Sequence, residues 1–186
     1  MDRPLSRSTG VNEMLAMAAH GSPADAEFER LYRASRDDVY AYVATLLRDR
    51  FAAEDVTALA FERAYRKRSS FRAGRGSPRA WLFGIARNAA LDELRRRTRT
   101  AAVGVEPVDE TALSPEDEAE TGARRLAVRA GLESLHPRER ELVALKFFAG
   151  LSNAELAAVL GTSETNAGTR VHRAIHKLRE ACHETA

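Results

Sequence analysis

The chain has 186 residues, 44% of them hydrophobic and 30% charged, with a formal net charge of +2; that balance suits a soluble globular protein of one medium or two small domains and excludes disorder throughout. A single cysteine, Cys182, excludes an internal disulfide and cannot by itself build a thiolate zinc site, so a reducing, cytoplasmic setting is expected and Cys182 reads as an inert helix residue. No apolar run approaches the roughly 20 residues of a membrane span and no apolar signal core opens the chain, so membrane insertion is not expected.

Only 6% of residues are aromatic, and the abundance of Ala, Leu, Glu and Arg favours helix over strand, because unbranched side chains lose little rotamer freedom in a helix. An all-α fold is expected. Residues 1 to 11 read as disordered, and residues 12 to 20 as a short leading helix capped by Asn12. Ser22-Pro23, Ser77-Pro78 and Ser114-Pro115 each place a capping oxygen before a proline suited to a first turn. Ser35 with Asp38 is a looser start signal. Apolar residues recur at three and four: Phe28, Leu31, Tyr32; Val39, Tyr42, Val43, Leu46; Val56, Leu59, Ala60, Ala64; Leu82, Ile85, Ala86, Ala89. Each set is one face of an amphipathic helix, and such faces need one another to bury. Residues 12 to 98 therefore read as one helical domain. Residues 99 to 114, with an outer limit at 123, carry Gly104 and Pro107 and no helical period, and read as a flexible linker. Residues 115 to 186 form a second helical unit, with helices expected over 115 to 134, 137 to 149, 153 to 160 and 164 to 182.

Charge is divided sharply along this order. Between Phe61 and Thr100 twelve basic residues stand against three acidic ones, a net +9. The linker then carries Glu106, Asp109, Glu110, Glu116, Asp117, Glu118 and Glu120 with no basic residue before Arg124. A polyanion-binding module followed by an acidic connector fits this asymmetry.

In the first unit, the loop from Arg66 to Ser77 is basic and glycine-containing, and it leads into Pro78 to Arg97. Phe71 and Trp81 alternate there with Arg72, Arg75, Arg79 and Arg87. Rings that stack on bases and cations that follow phosphates suit single-stranded nucleic acid; the same residues would also serve as a core tryptophan beside a solvated basic face. In the second unit, Ser152 with Glu155 makes a capping box, and Gly150 and Gly161 sit at helix stops. A short helix, a glycine turn and a new cap at Ser163 make a helix-turn-helix pattern, whose second helix enters the major groove; a generic helical hairpin carries similar punctuation. The second helix keeps Val171, Ile175 and Leu178 as its inner stripe. Thr165, Asn166, Thr169, Arg170, His172, Arg173 and Lys177 form its outer face, with donors suited to base edges and phosphates. No phosphate-binding glycine motif, nucleophile elbow or metal-ligand spacing is present, so neither an enzyme nor a cofactor is expected. His172 and His176 lack a third ligand.

AEFERLYRASRDDVYAYVATLL, AAEDVTALAFERAYRK, FRAGRGSPRAWLFGIARNAALDELRRR and LHPRERELVALKFFAGLSNAELAAVLGTSETNAGTRVHRAIHKLRE resemble, in order, the two domains of an extracytoplasmic-function (group IV) bacterial RNA polymerase sigma factor. The resemblance implies sigma regions 2 and 4 joined by a linker, core RNA polymerase (its β′ clamp helices and β flap) and promoter DNA as partners, and an anti-sigma factor as regulator. It implies core-polymerase contacts from Glu54, Asp55, Ala58, Leu59, Glu62, Arg63 and Arg66. Phe71, Arg72, Arg75, Arg79, Trp81, Arg87, Asn88, Arg95, Arg96 and Arg97 would handle the minus-ten element as single strand, with Asn88 at the flipped-base pocket. Thr165, Asn166, Gly168, Thr169, Arg170, His172, Arg173 and Lys177 would read the minus-thirty-five duplex. The acidic linker would run through the polymerase toward the RNA exit path; a solvated spacer is the other reading. The sequence departs from the family pattern at Ala58 and Leu59, where an amide and an acid are usual, and at Gly168, where a cation is usual. A polymerase-independent helix-turn-helix regulator would explain residues 152 to 180 but not the aromatic and basic block from Phe71 to Arg97.

Overall fold

A computed structural model describes residues 23–71, 76–101 and 119–184. Seven α-helices make up the described residues: α1 (Pro23–Leu47), α2 (Arg50–Arg66), α3 (Pro78–Ala101), α4 (Ala119–Ser134), α5 (Pro137–Phe147), α6 (Asn153–Leu160) and α7 (Glu164–Glu184), with one 3-10 turn at Arg68–Ser70. Among the described residues there is no strand, and the all-α expectation holds. The chain divides into two units at Glu110 and Thr111. The expected leading helix at 12 to 20, the cap at Ser114 and the linker beyond Ala101 lie outside the described residues.

The first unit packs α1, α2 and α3 against one another. Its core holds Phe28, Val39, Tyr42 and Val43 from α1, Val56, Ala60, Phe61 and Ala64 from α2, and Leu82, Phe83, Ala86, Ala89 and Ala90 from α3, all at 5% exposure or less. The four sequence stripes therefore point inward, although Leu31, Leu46, Leu59 and Ile85 stop half-buried and Leu47 is buried instead of Leu46. The apolar area removed from water at these positions stabilises the unit by roughly 25 cal/mol per Å².

Local chemistry sets the helix ends. Ser77 caps α3, its hydroxyl accepting the Ala80 backbone N–H at 3.1 Å. Asp49 caps α2 by accepting from Ala52 N–H at 3.0 Å, after Arg48 turns the chain with φ 54°. The looser start at Ser35 does not occur: α1 runs unbroken from Pro23 to Leu47. Ser35 is 1% exposed, and its hydroxyl is engaged by a side chain of α3 rather than by the backbone ahead of it. At the other end, α3 runs to Ala101, three residues into the segment read as linker. Thr98 and Thr100 hydroxyls donate to the carbonyls of Leu94 and Arg96, and Arg99 suits the negative end of the helix.

In the second unit α7 packs on α4, α5 and α6. Arg140, 8% exposed, donates to the carbonyls of Leu132, Glu133 and Leu135 at 2.8 to 3.1 Å, covering acceptors that the end of α4 leaves without helical partners. His136 opens α5, its Nδ1 accepting the Arg138 N–H at 3.3 Å, while the Glu139 carboxylate accepts the His136 N–H at 3.3 Å. The expected capping box at Ser152 and Glu155 is present, and Gly161 takes the left-handed φ of 67° that closes α6. The 137 to 149 helix ends earlier, at Phe147, because the turn leading to Gly150 begins there. Around Ala167, Val171 and Ala174 the inner stripe of α7 is buried, whereas Ile175 and Leu178 are half-buried.

Candidate nucleic-acid interface

Two surfaces carry the chemistry, one in each unit. In the first, Phe71 closes the 3-10 turn and leans on Trp81 with ring centroids 5.5 Å apart at an interplanar angle of 54°. Both rings are half-buried, so each is held by the fold and still reaches solvent. Asn88 lies two helical turns beyond Trp81 on the same face of α3; it is exposed. Gly84 sits between them, and a methyl group built there would meet nothing within 4 Å. A tilted aromatic pair, bare backbone and an amide thus follow one another along one helix face. Arg72 and Arg75 lie outside the described residues.

The expected phosphate contacts divide into two groups. Arg95 is exposed, 3.3 Å from Asp92, and Arg96 is exposed with a two-pronged pairing to Glu93, both contacts at 2.7 Å. The Arg96 hydrogen bond holds the Glu93 carboxyl below its ordinary range, against the opposing effect of burial. Arg87 is half-buried. By contrast, Arg97 turns inward to Asp49 at 2.7 Å, Glu93 at 2.9 Å and the Leu47 carbonyl at 3.4 Å. Arg79 also turns inward, to Asp38 at 2.5 Å and to Ser35. Their guanidinium groups close the unit on itself because carboxylates of α1 and of the turn after it lie within reach, a pairing that the linear charge count does not reveal.

On α2, Asp55 and Glu62 share a face with Ala58, with Glu54 and Leu59 at its flanks. Glu54 pairs with Arg50 at 3.5 Å, Glu62 with Arg66 at 2.6 Å and Arg63 with Asp92 at 3.4 Å. Phe51 belongs to the same face and is 67% exposed. It is absent from the expected core-polymerase contacts, although the helical period alone sets it opposite Val56, Ala60 and Ala64.

In the second unit α6, the turn at Gly161 and α7 form the expected helix-turn-helix. Ser163 caps α7, accepting the Asn166 N–H at 3.3 Å. Thr165, Asn166, Thr169, His172 and Arg173 are exposed and Arg170 is half-buried. The Asn166 amide donates to Thr162 Oγ1 at 2.7 Å, and the Thr169 hydroxyl donates to the Thr165 carbonyl at 2.9 Å. Arg170, His172 and Arg173 have no side-chain partner among the described residues. Lys177 pairs with Glu139 of α5, and this hydrogen bond draws the Glu139 carboxyl below its ordinary range. Gly168 lies off the outer face: a Cβ there would stand 3.1 Å from Nδ2 of Asn153 at the start of α6. The close approach that this glycine allows is between the two helices of the motif. His176 pairs with Glu180 at 3.2 Å. Among the described residues no three His, Cys, Asp or Glu side chains gather as a metal site, and no helix is long and apolar enough to cross a membrane.

The helical unit with an aromatic, arginine-rich helix and the helix-turn-helix unit joined to it in one chain are those of a sigma-70 class transcription protein. Residues 31–100 match the family model Sigma-70 region 2, and residues 125–178 match that of Sigma-70, region 4. The chain is 35% identical over 180 residues to the ECF RNA polymerase sigma factor BldN of Streptomyces coelicolor, an alignment covering 95% of this chain and 68% of that one. It is 31% identical over 183 residues to the ECF RNA polymerase sigma factor SigK of Mycobacterium ulcerans, covering 96% and 97%. Among solved structures, the sigma factor RpoE in complex with the anti-sigma factor NepR from Bartonella quintana matches with a TM-score of 0.70 at 25% identity, over 83% of this chain and 96% of that one. The chain belongs to the ECF RNA polymerase sigma factors. It directs transcription initiation by RNA polymerase, and its family is not an enzyme class.

Proposed function

We propose that the two surfaces divide promoter reading between single strand and duplex. The observation that carries this reading is the run of Phe71, Trp81, Gly84 and Asn88 along one face of α3. Stacked bases need an aromatic platform, and a base edge needs a group that both donates and accepts; both are separated here by two turns of rigid helix. Arg87, Arg95 and Arg96, with Arg72 and Arg75, follow the backbone of the minus-ten strand. Thr165, Asn166, Thr169, Arg170, His172 and Arg173 of α7 read the minus-thirty-five duplex in the major groove, and Lys177 joins them by exchanging Glu139 for a phosphate.

The face of α2 with Glu54, Asp55, Ala58, Leu59 and Glu62, flanked by Arg63 and Arg66, docks on the β′ clamp helices, and the second unit meets the β flap. On this reading the chain is a group IV factor that acts in the cytoplasm without a cofactor. An anti-sigma factor that covers the DNA-reading surfaces is the fitting regulator, as one accompanies the similar protein of Bartonella quintana.

Reconstitution of the full chain with core RNA polymerase tests the division. Asn88→Ala is expected to bind core polymerase normally and to lose strand opening and base preference at minus ten. Equal promoter opening by the mutant removes Asn88 from the reading role. Operator binding by the chain alone, with no polymerase-dependent transcription, favours a free-standing regulator instead.

A further inference from the structure

Arg79 stands in the first turn of α3, where unsatisfied N–H groups make the helix end positive and a cation is disfavoured. Its guanidinium is instead spent on α1. Nη2 donates to Asp38 Oδ2 at 2.5 Å, while Nη1 donates to Ser35 Oγ at 3.2 Å and to the Ala34 carbonyl at 3.4 Å. The group also lies 5.3 Å from the centroid of the Phe83 ring. Ser35, though polar and in the middle of a helix, is 1% exposed and serves as an acceptor for this one side chain. A planar fork can take a carboxylate, a hydroxyl and a carbonyl on one side at once, whereas an ammonium is a single point of charge.

Two residues further along the same turn, Trp81 leans on Phe71. The backbone N–H of Trp81 donates to the Ser77 carbonyl at 3.1 Å, so the ring is carried by the very turn that Arg79 fixes. We infer that Arg79 is a positioning residue for single-strand reading: it touches no nucleic acid, and it pins the first turn of α3 to α1 so that Trp81 and, two turns on, Asn88 present one continuous face. The inference rests on the reading of α3 given under the proposed function. It takes Arg79 out of the set of phosphate contacts and gives Ser35 and Asp38 a part in promoter opening without contact with DNA.

Salt dependence separates the two roles. A residue that neutralises a phosphate releases counterions, and its loss lowers the slope of log affinity against log salt by about 0.7 on a single strand; loss of a positioning residue weakens binding and leaves the slope alone. The probe is the single-stranded oligodeoxynucleotide that the wild-type holoenzyme selects from a random pool. Its affinity is measured across a salt series for the full chain on core RNA polymerase, as wild type, Arg79→Gln, Arg79→Lys, Asp38→Asn and Ser35→Ala. Acrylamide quenching of Trp81, the one tryptophan of the chain, is read on each free protein well below its unfolding temperature.

Arg79→Gln, Arg79→Lys and Asp38→Asn are expected to weaken binding by about five- to tenfold, with a salt slope that stays unchanged even in Arg79→Gln, which removes the cation, and with a more readily quenched Trp81. Ser35→Ala moves the same way by less. Asp38→Asn is decisive, since it removes no cation: a phosphate role for Arg79 predicts tighter binding when its carboxylate partner is lost. Tighter binding by Asp38→Asn, a salt slope lowered by about 0.7 in Arg79→Gln, or wild-type binding by Arg79→Lys overturns the inference. Should the Arg79 variants fail to fold, Asp38→Asn and Ser35→Ala decide it. If the wild-type holoenzyme selects no oligonucleotide at all, the reading of α3 as a single-strand surface falls, and the inference with it.

Discussion

Gly168→Ala has a size that follows from the space around the residue. Alanine in a helix interior is favoured over glycine by about 1 kcal/mol, and Gly168 is the fifth residue of α7. The added Cβ would stand 3.1 Å from Asn153 Nδ2 and 3.7 Å from its Cγ, so the amide must yield by a few tenths of an ångström. Asn153 is half-buried at the first position of α6, with no side-chain partner among the described residues, and rotation about χ2 is open to it. Part of the gain is lost to that rotation, leaving about 0.5 kcal/mol. Gly84→Ala is the control, because nothing lies within 4 Å of its Cβ position and the full gain of about 1 kcal/mol is expected. Native-state hydrogen exchange of the α7 and α3 amides reads the two units separately. In an Asn153→Ala background, Gly168→Ala should recover the missing half. A loss of more than about 1 kcal/mol in both backgrounds refutes the reasoning, since the backbones rather than one amide would then be in the way.

Arg97→Ala should destabilise the first unit by about 1.5 to 3 kcal/mol, the range for hydrogen bonds to charged groups, while leaving the salt slope of DNA binding unchanged; a shallower slope would return Arg97 to the phosphate contacts. The Glu139 carboxyl titrates below the ordinary glutamate range, first through its hydrogen bond to Lys177. A depressed folded-state pKa gives stability that is present above the unfolded value and lost as pH falls through the folded one. Acid titration of the second unit should therefore show a loss beginning near pH 4.5 that Glu139→Gln flattens, and an unchanged profile sinks the pairing. Phe51→Ser, at a position 67% exposed, should leave the unfolding midpoint in place and weaken core-polymerase binding by about 1 kcal/mol or more; unaltered binding removes Phe51 from the docking face.

What was legible in the sequence was what short-range chemistry decides. Ser77-Pro78, Ser152 with Glu155, Gly161 and Ser163 mark helix ends because each cap spans three or four residues. The inner stripes were legible because burial follows helical period. Ser35 was misread for the opposite reason: its partner, Arg79, is 44 residues away, and a serine followed by an aspartate looks the same whether it caps a helix or receives a guanidinium. Asp49, His136 and Arg140 act at helix ends without a pattern that distinguishes them from surface residues. Trp81 and Asn88 could be placed on one face from spacing alone, but the lean of Phe71 on Trp81 depends on how the 3-10 turn returns the chain. The resemblance puts Gly168 among the minus-thirty-five contacts, whereas a Cβ there would meet Asn153 of α6.

The arginines from Phe61 to Thr100 serve two purposes, and the aspartates decide which. Arg68 donates to Asp25 at 2.6 Å and lies over the Tyr65 ring at 3.8 Å, Arg79 donates to Asp38 at 2.5 Å and Arg97 to Asp49 at 2.7 Å. The three aspartates are spread along α1 and the turn after it, so the 3-10 turn and the start of α3 are fastened to α1 and the far end of α3 to the turn that follows it. These guanidinium side chains are 24% to 31% exposed, whereas those of Arg95 and Arg96 are 63% or more. Salt screens exposed charges far more than partly buried ones. Binding and folding should therefore part as ionic strength rises: between 50 and 200 mM salt, by the behaviour of proteins with several phosphate contacts, affinity for promoter DNA should fall by orders of magnitude. Helical content and the exchange rates of α3 amides should hardly move over the same range. If α3 loosens in step with the loss of binding, the clasps are as open to solvent as the outer arginines, and the division of the basic run into fasteners and DNA contacts is wrong.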